Sequence, residues 1–188
     1  MRDILIEQEF PSLNIGPGYA NLEAQLPEDH IKITLDRYQK LGTFETLGSL
    51  RGIPNQHLIN AAAEYMPFRD SSLPTITTQS TFQVMFDQKA FLSELSRILK
   101  PGGLFIITIE YGNIYDYYSQ QFPISPHAEN DDVDKLKVYI KSLGLHISFV
   151  KYLNLNGIWR DNKAEAFSMW IIGEKEEENG DSIHNSGC

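Results

Sequence analysis

Two glycines separated by Pro17, Gly16 and Gly18, follow the short strand-like run 12–15. Glycine there lets the backbone turn tightly and approach a ligand closely. Asp36 closes the next β-branched run, Ile31-Lys32-Ile33-Thr34-Leu35. A carboxylate about twenty residues after such a turn can accept from both hydroxyls of a ribose. Binding of a nucleoside-bearing ligand is the chemistry this pair could do. A dinucleotide fingerprint needs a third glycine, and Asn21 stands in its place, which disfavours a nicotinamide-dependent oxidoreductase. His30, His57, His127, His146 and His184 make no pair with ligand spacing on a helix, so no metal site is expected. Cys188 is the single cysteine, which excludes a disulfide framework or a CxxC zinc site. Neither a G-x-S-x-G elbow nor a Walker loop is present.

The elements around these residues alternate. Residues 12–15, 31–36, 57–60 and 73–78 read as strands, and 21–26 as a short helix stopped by Pro27. Phe91, Leu92, Leu95, Ile98 and Leu99 recur at helical spacing, which predicts a helix over 88–99 ended by Pro101-Gly102-Gly103. Residues 104–109 are apolar on both faces, as in a buried parallel strand. A helix over 132–143 is closed by Gly144, and 145–153 and 166–172 are strands with no helix between them. The acidic group Glu129, Asp131, Asp132 and Asp134 suits the positive end of that second helix. Strands alternating with helices predict an α/β, mostly parallel sheet, with the last two strands as an antiparallel hairpin. The fifth strand should start its following loop at the ligand edge, and 111–123 holds Tyr111, Tyr115, Tyr117, Tyr118 and Phe122, an aromatic lid or acceptor wall.

In 188 residues, 41 % are hydrophobic and 22 % charged, enough for one folded domain with its own core. We expect that domain over 1–173, followed by an acidic, disordered tail over 174–188. The formal net charge of −9 argues against nucleic-acid binding and against a polybasic membrane surface. No targeting segment is visible, and a reducing cytoplasm is the expected location.

The stretch Glu64-Tyr65-Met66-Pro67-Phe68-Arg69-Asp70-Ser71-Ser72 resembles the "AE-x-LPF-x-D-x-S" segment of class I S-adenosylmethionine-dependent methyltransferases. The stretch from Ala90 to Ile107, with Glu94, Arg97 and Lys100-Pro101-Gly102-Gly103, resembles that family's "FL-x-E-x-x-R-x-LKPGG-x-x-x-I" helix and strand. The order and intervals are those of the methyltransferase type 11-like group, from about residue 13 to 173. The resemblance implies a Rossmann-like, seven-stranded, mostly parallel sheet with helices on both faces and an antiparallel C-terminal strand hairpin.

It also implies S-adenosyl-L-methionine as cofactor. Gly16 and Gly18 would line the methionine moiety and ribose, Asp36 would hold the ribose hydroxyls, and Ala63 and Glu64 would flank the adenine. Thr78 and Gln79 would follow the strand facing the methyl group. Asn14, Ala20, Ala62 and Thr75 depart from the family, which usually has an acid, a glycine, an acid and an aspartate there. The expected function is methyl transfer to a small-molecule acceptor, with no nucleic-acid or membrane partner and the homo-oligomeric state open. Glu110, Tyr111 and His127 are the candidate bases. The alternative is a non-catalytic binding or scaffold protein with a weakened cofactor site, motivated by Asn14 and Ala62.

Overall fold

The structure, a computed structural model, describes residues 5, 7, 11–17, 22–37, 52–111, 130–154 and 167–177. Its strands are β1 (Ser12–Ile15), β2 (Lys32–Asp36), β3 (Gln56–Asn60), β4 (Leu73–Gln79), β5 (Leu99–Tyr111), β6 (Leu145–Asn154) and β7 (Phe167–Lys175). Its helices are α1 (Gln88–Ile98) and α2 (Asn130–Ser142), with 3-10 turns at Glu23–Gln25 and Phe82–Val84. The strands form one sheet in the order β3-β2-β1-β4-β5-β7-β6. β3 to β5 run parallel, and β7 pairs antiparallel with both β5 and β6. This is the expected Rossmann-like sheet with its reversed hairpin at one edge. The chain leaves β1 for β2 on one side and returns to β4 on the other, which opens a crevice at the carboxyl ends of β1 and β4.

Side chains alternate across a strand, so Leu13 and Ile15 enter one face and Ser12 and Asn14 the other. On the first face Leu13, Ile15, Ile76, Phe105, Ile107 and Ile109 pack with Phe91, Leu92 and Leu95 of α1 and Leu136 and Ile140 of α2. On the second, Ile106 packs with Leu5, Leu22 and Leu26. Ser12, Asn14, Thr34, Thr75, Thr77 and Thr108 are also buried. Short hydroxyl side chains there can be satisfied by nearby backbone, as the Thr77 hydroxyl is against the Leu13 carbonyl at 3.4 Å.

Three elements differ from their sequence expectation. The helix over 21–26 is a single 3-10 turn, Glu23–Gln25, because Pro27 leaves too few residues to nucleate a helix. β5 starts at Leu99, before the Pro101-Gly102-Gly103 expected to precede it. There the register slips, Leu73 opposing Leu99 while Thr75 opposes Leu104. The bulge takes up the extra residues through Gly102 at φ +70, and Gly103 lies against the Pro74 and Lys100 carbonyls. β7 continues through Lys175, into the stretch whose acidic composition reads as tail. The Lys175 ammonium donates to the Leu99 carbonyl at 3.0 Å, a long-range tie that composition does not reveal.

Candidate functional site

Register places the candidate residues in one row. Leu35, Ile15, Thr78 and Ile107 lie opposite one another across β2, β1, β4 and β5. The residue that follows each of these in the chain is at the crevice: Asp36, Gly16, Gln79 and Thr108. Gly16 turns there with φ +63, and its amide donates to the Leu35 carbonyl at 2.9 Å. The Asp36 carboxylate accepts from the Arg37 amide at 2.6 Å. Asp36 also pairs with Asn60, and its carbonyl accepts from Ala61 at 3.0 Å, so the segment 61–64 leaves β3 beside it. Glu110 and Tyr111 extend the same edge on β5, opposite Ser168 and Phe167.

The other expected site residues have these places. Asn14 is buried, and its Oδ1 accepts from the Thr77 hydroxyl at 3.2 Å. Ala63 belongs to the core on the α1 face. Glu64 is 7 % exposed, and its Oε1 accepts from the amides of Phe86 at 3.1 Å and Asp87 at 3.2 Å. Its carboxylate therefore ties the segment after β3 to the start of α1. Thr78 is fully buried, and its hydroxyl has no hydrogen-bond partner among the described residues. Gln79 is exposed, and its carbonyl accepts from the Thr81 hydroxyl at 3.0 Å. Gly18, His127 and residues 112–123 lie outside the described residues. Among the described residues, no three His, Cys, Asp or Glu come together to hold a metal ion. No described helix is long and apolar enough to cross a membrane.

The two family-like motifs interlock. Arg97 donates to both oxygens of Glu94, at 2.7 and 2.8 Å, to Asp70 at 2.6 Å, and to the carbonyls of Phe68 at 2.8 Å and Met66 at 3.0 Å. Glu94 also accepts from the Met66 amide at 2.7 Å. The Arg97 hydrogen bond and the Met66 amide hold the Glu94 carboxyl below the usual range, against burial, and Glu94 and Asp70 raise the guanidinium further. This network fixes 66–70 on α1, downstream of Ala63 and Glu64. Sequence reasoning read these residues as a motif only; the Glu94/Arg97 spacing of three on a helix was the available signal.

Asp36 at the end of β2, the Gly16 turn and the buried Thr78 hydroxyl, which has no hydrogen-bond partner among the described residues, would suit an adenosyl cofactor lying along this edge. Among the residues present, Asp36 would take the ribose, Gly16 the adjoining chain, and Ala63 one side of the base.

The family model described as "Methyltransferase domain" matches residues 13–107. The chain belongs to that family. It is similar, at 25 % identity over 75 % of its length, to a ubiquinone/menaquinone biosynthesis C-methyltransferase of Ectopseudomonas mendocina, and spans 54 % of that protein. The chain thus spans about half the length of the curated relatives it matches. In fold it resembles an S-adenosylmethionine-dependent methyltransferase of Methanosarcina mazei, with TM-score 0.64 and 18 % identity over 92 % of this chain and 94 % of that one. It also resembles the [4+2]-cyclase SpnF, with TM-score 0.69 and 12 % identity over 94 % of this chain and 81 % of that one. A cyclase on the same fold means that the acceptor chemistry has to be argued from the site.

Proposed function

We propose that the chain binds S-adenosyl-L-methionine at the carboxyl edge of β1, β2 and β4 and transfers its methyl group to a small-molecule acceptor. The observation that carries the reading is the alignment of Asp36, Gly16 and Gln79 in one row at the switch point of a methyltransferase-family sheet. When bound, the cofactor supplies a methyl group already activated on a sulfonium. The chain's contribution is alignment: Asp36 anchors the sugar and the Gly16 turn the adjoining chain, and together they set the line of attack. The matched relatives are named as C-methyltransferases, and a carbon acceptor must lose a proton. Glu110 and Tyr111, at the end of β5 on the same edge, are the groups we assign to that task, with His127 as the third candidate. The net charge of −9 disfavours a nucleic-acid acceptor, which favours a small molecule.

Calorimetry with S-adenosylhomocysteine tests the reading. Binding in the micromolar range is expected, and Asp36→Ala should weaken it by about tenfold, the loss of one charge-assisted hydrogen bond. An absence of heat at millimolar ligand would overturn the reading in favour of a scaffold role, which the neutral Asn14 and Ala62 also motivate.

A further inference from the structure

We propose that Thr81 is a positioning residue for the cofactor loop, holding the Gly16 turn in its binding geometry before the ligand arrives. The proposal rests on the reading of that turn as part of the cofactor site. The Thr81 hydroxyl is 2.9 Å from the Gly16 carbonyl and 3.0 Å from the Gln79 carbonyl. One proton is shared between them, so the hydroxyl braces the β1 turn against the end of β4, across 65 residues of sequence.

Three further features show that this brace is built. First, Thr81 occupies the N-cap position of the Phe82–Val84 turn but makes no side-chain cap bond. A threonine there ordinarily gives its oxygen to an amide of the first turn. Here the hydroxyl faces Gly16. Second, the Thr81 side chain fills the space where a Gly16 side chain would stand: an added Cβ would lie 2.8 Å from the Thr81 Cβ and closer still to its hydroxyl and methyl. The glycine accommodates the threonine as well as the left-handed turn. Third, the preceding residue is itself fixed. Ser80 is left-handed at φ +54, its amide donates to Thr108 at 3.0 and 3.1 Å, and its carbonyl accepts from the Gln83 amide group at 2.9 Å. A serine costs more in this conformation than a glycine, and the hydrogen bonds around it hold the turn that aims Thr81.

Two variants separate the hydroxyl from the packing. Thr81→Val keeps shape and loses the proton; Thr81→Ser keeps the proton and loses only the methyl. In the full-length chain without ligand, hydrogen exchange of the Gly16 amide, which is bonded to Leu35, should quicken several-fold in Thr81→Val and return to the wild-type rate in Thr81→Ser. Calorimetry with S-adenosylhomocysteine should show about tenfold weaker binding for Thr81→Val and recovery in Thr81→Ser. Unchanged exchange in Thr81→Val overturns the brace whether or not any ligand binds. Faster exchange with unaltered affinity overturns the positioning role and leaves a stabilising contact. A wild-type chain that takes up no S-adenosylhomocysteine overturns the cofactor reading itself and the positioning role with it.

Discussion

Arg97 and Met66 lie 31 residues apart in the chain and meet at 3.0 Å, guanidinium to carbonyl. The Met66 amide completes the exchange by donating to Glu94, itself held by Arg97. Both backbone groups of one residue are thus captured by one ion pair on α1. Glu64 supplies a second tie in the opposite direction, its carboxylate accepting from the amides that lead into that helix. Segment 61–70, which carries the proposed wall of the adenine site, is therefore held from both ends.

Arg97→Met should cost about 2–3 kcal/mol, because it removes the donor to the Phe68 carbonyl and the cation facing Glu94, which keeps only the Met66 amide, while the Met66 carbonyl still accepts from the Phe68 amide at 2.8 Å. For a domain of this size that lowers Tm by roughly 5–10 °C. The exposed Asp70 partner contributes little to that loss. The double variant Glu94→Gln with Arg97→Met should lose clearly less than the sum of the singles, since the carboxylate no longer stands unpaired. Urea unfolding of the four proteins measures this, and strict additivity would show that the pair is not coupled.

Stability should fall on acidification in two steps. Arg97 and the Met66 amide hold the folded-state pKa of Glu94 below its ordinary 4.5, against burial. Its contribution is present above pH 4.5 and is lost as pH falls through the folded value. His30 is 1 % exposed, and burial, then Lys32, push its pKa below 6.5. The unfolded chain then binds the proton more readily, so stability drops as pH falls below 6.5. Urea midpoints from pH 4 to 7 should rise throughout. Glu94→Gln should flatten the lower step and His30→Gln the upper. A higher midpoint at pH 5 than at pH 7 would contradict the His30 assignment, and a midpoint that does not drop as pH falls below 4.5 would contradict that of Glu94.

The alternation of strands and helices, the final hairpin, and Gly16 and Asp36 were legible because they depend on local signals: β-branched runs, glycine turns and apolar spacing; Gln79 was legible only through the family resemblance. The ties across the chain were not. Glu64 reads in sequence as a residue beside the adenine, yet its carboxylate faces Phe86 and Asp87. Thr81 carries no motif, and only the register of β1 against β4 brings it to Gly16. Lys175 sits in an acidic stretch that composition assigns to a tail, and it donates to the Leu99 carbonyl and the Ser71 hydroxyl. Each of these contacts joins segments far apart in the chain, where spacing carries no information.

Gly173→Ala should be among the most damaging single-methyl changes in the sheet. Gly173 lies on β7 between Phe105 and Ile147. An added Cβ would press on the His146 carbonyl and stand 2.6 Å from the Phe105 ring. A carbonyl inside a strand cannot yield as a side-chain tip can, so β6 has to separate from β7. A loss above about 3 kcal/mol is expected, seen as a collapse of the soluble, folded fraction. The control is Gly144→Ala: among the described residues nothing lies within 4 Å of its Cβ, and the left-handed φ of +69 opposes it. It should cost about 1–2 kcal/mol.

Lys32 offers a sharper test, because two physical effects oppose one another. It is 1 % exposed at the start of β2, and burial, set against Asp29 and Glu28, lowers its pKa below 10.5. Removing a buried charge often stabilises a protein when an apolar residue of like volume takes its place. The ammonium, however, donates to three backbone carbonyls, Pro27 at 2.7 Å, Pro54 at 3.0 Å and His30 at 3.2 Å. These belong to the turns before β2 and β3, which the Asn55 side chain also joins by donating to the Glu28 carbonyl at 2.9 Å. In Lys32→Met the volume is kept and the donors vanish. Pro27 still accepts from the His30 amide at 3.2 Å, whereas the His30 and Pro54 carbonyls lose the donor that Lys32 gave them. Two such losses at about 1–3 kcal/mol each outweigh the relief of one desolvated charge that is already well solvated by carbonyls. Lys32→Met should therefore destabilise by about 2 kcal/mol or more, and hydrogen exchange should quicken at the Lys32 amide, which is bonded to the Asn55 carbonyl at 3.0 Å. Equal or greater stability in urea would mean that desolvation of the ammonium dominates and that the three carbonyls do not depend on it.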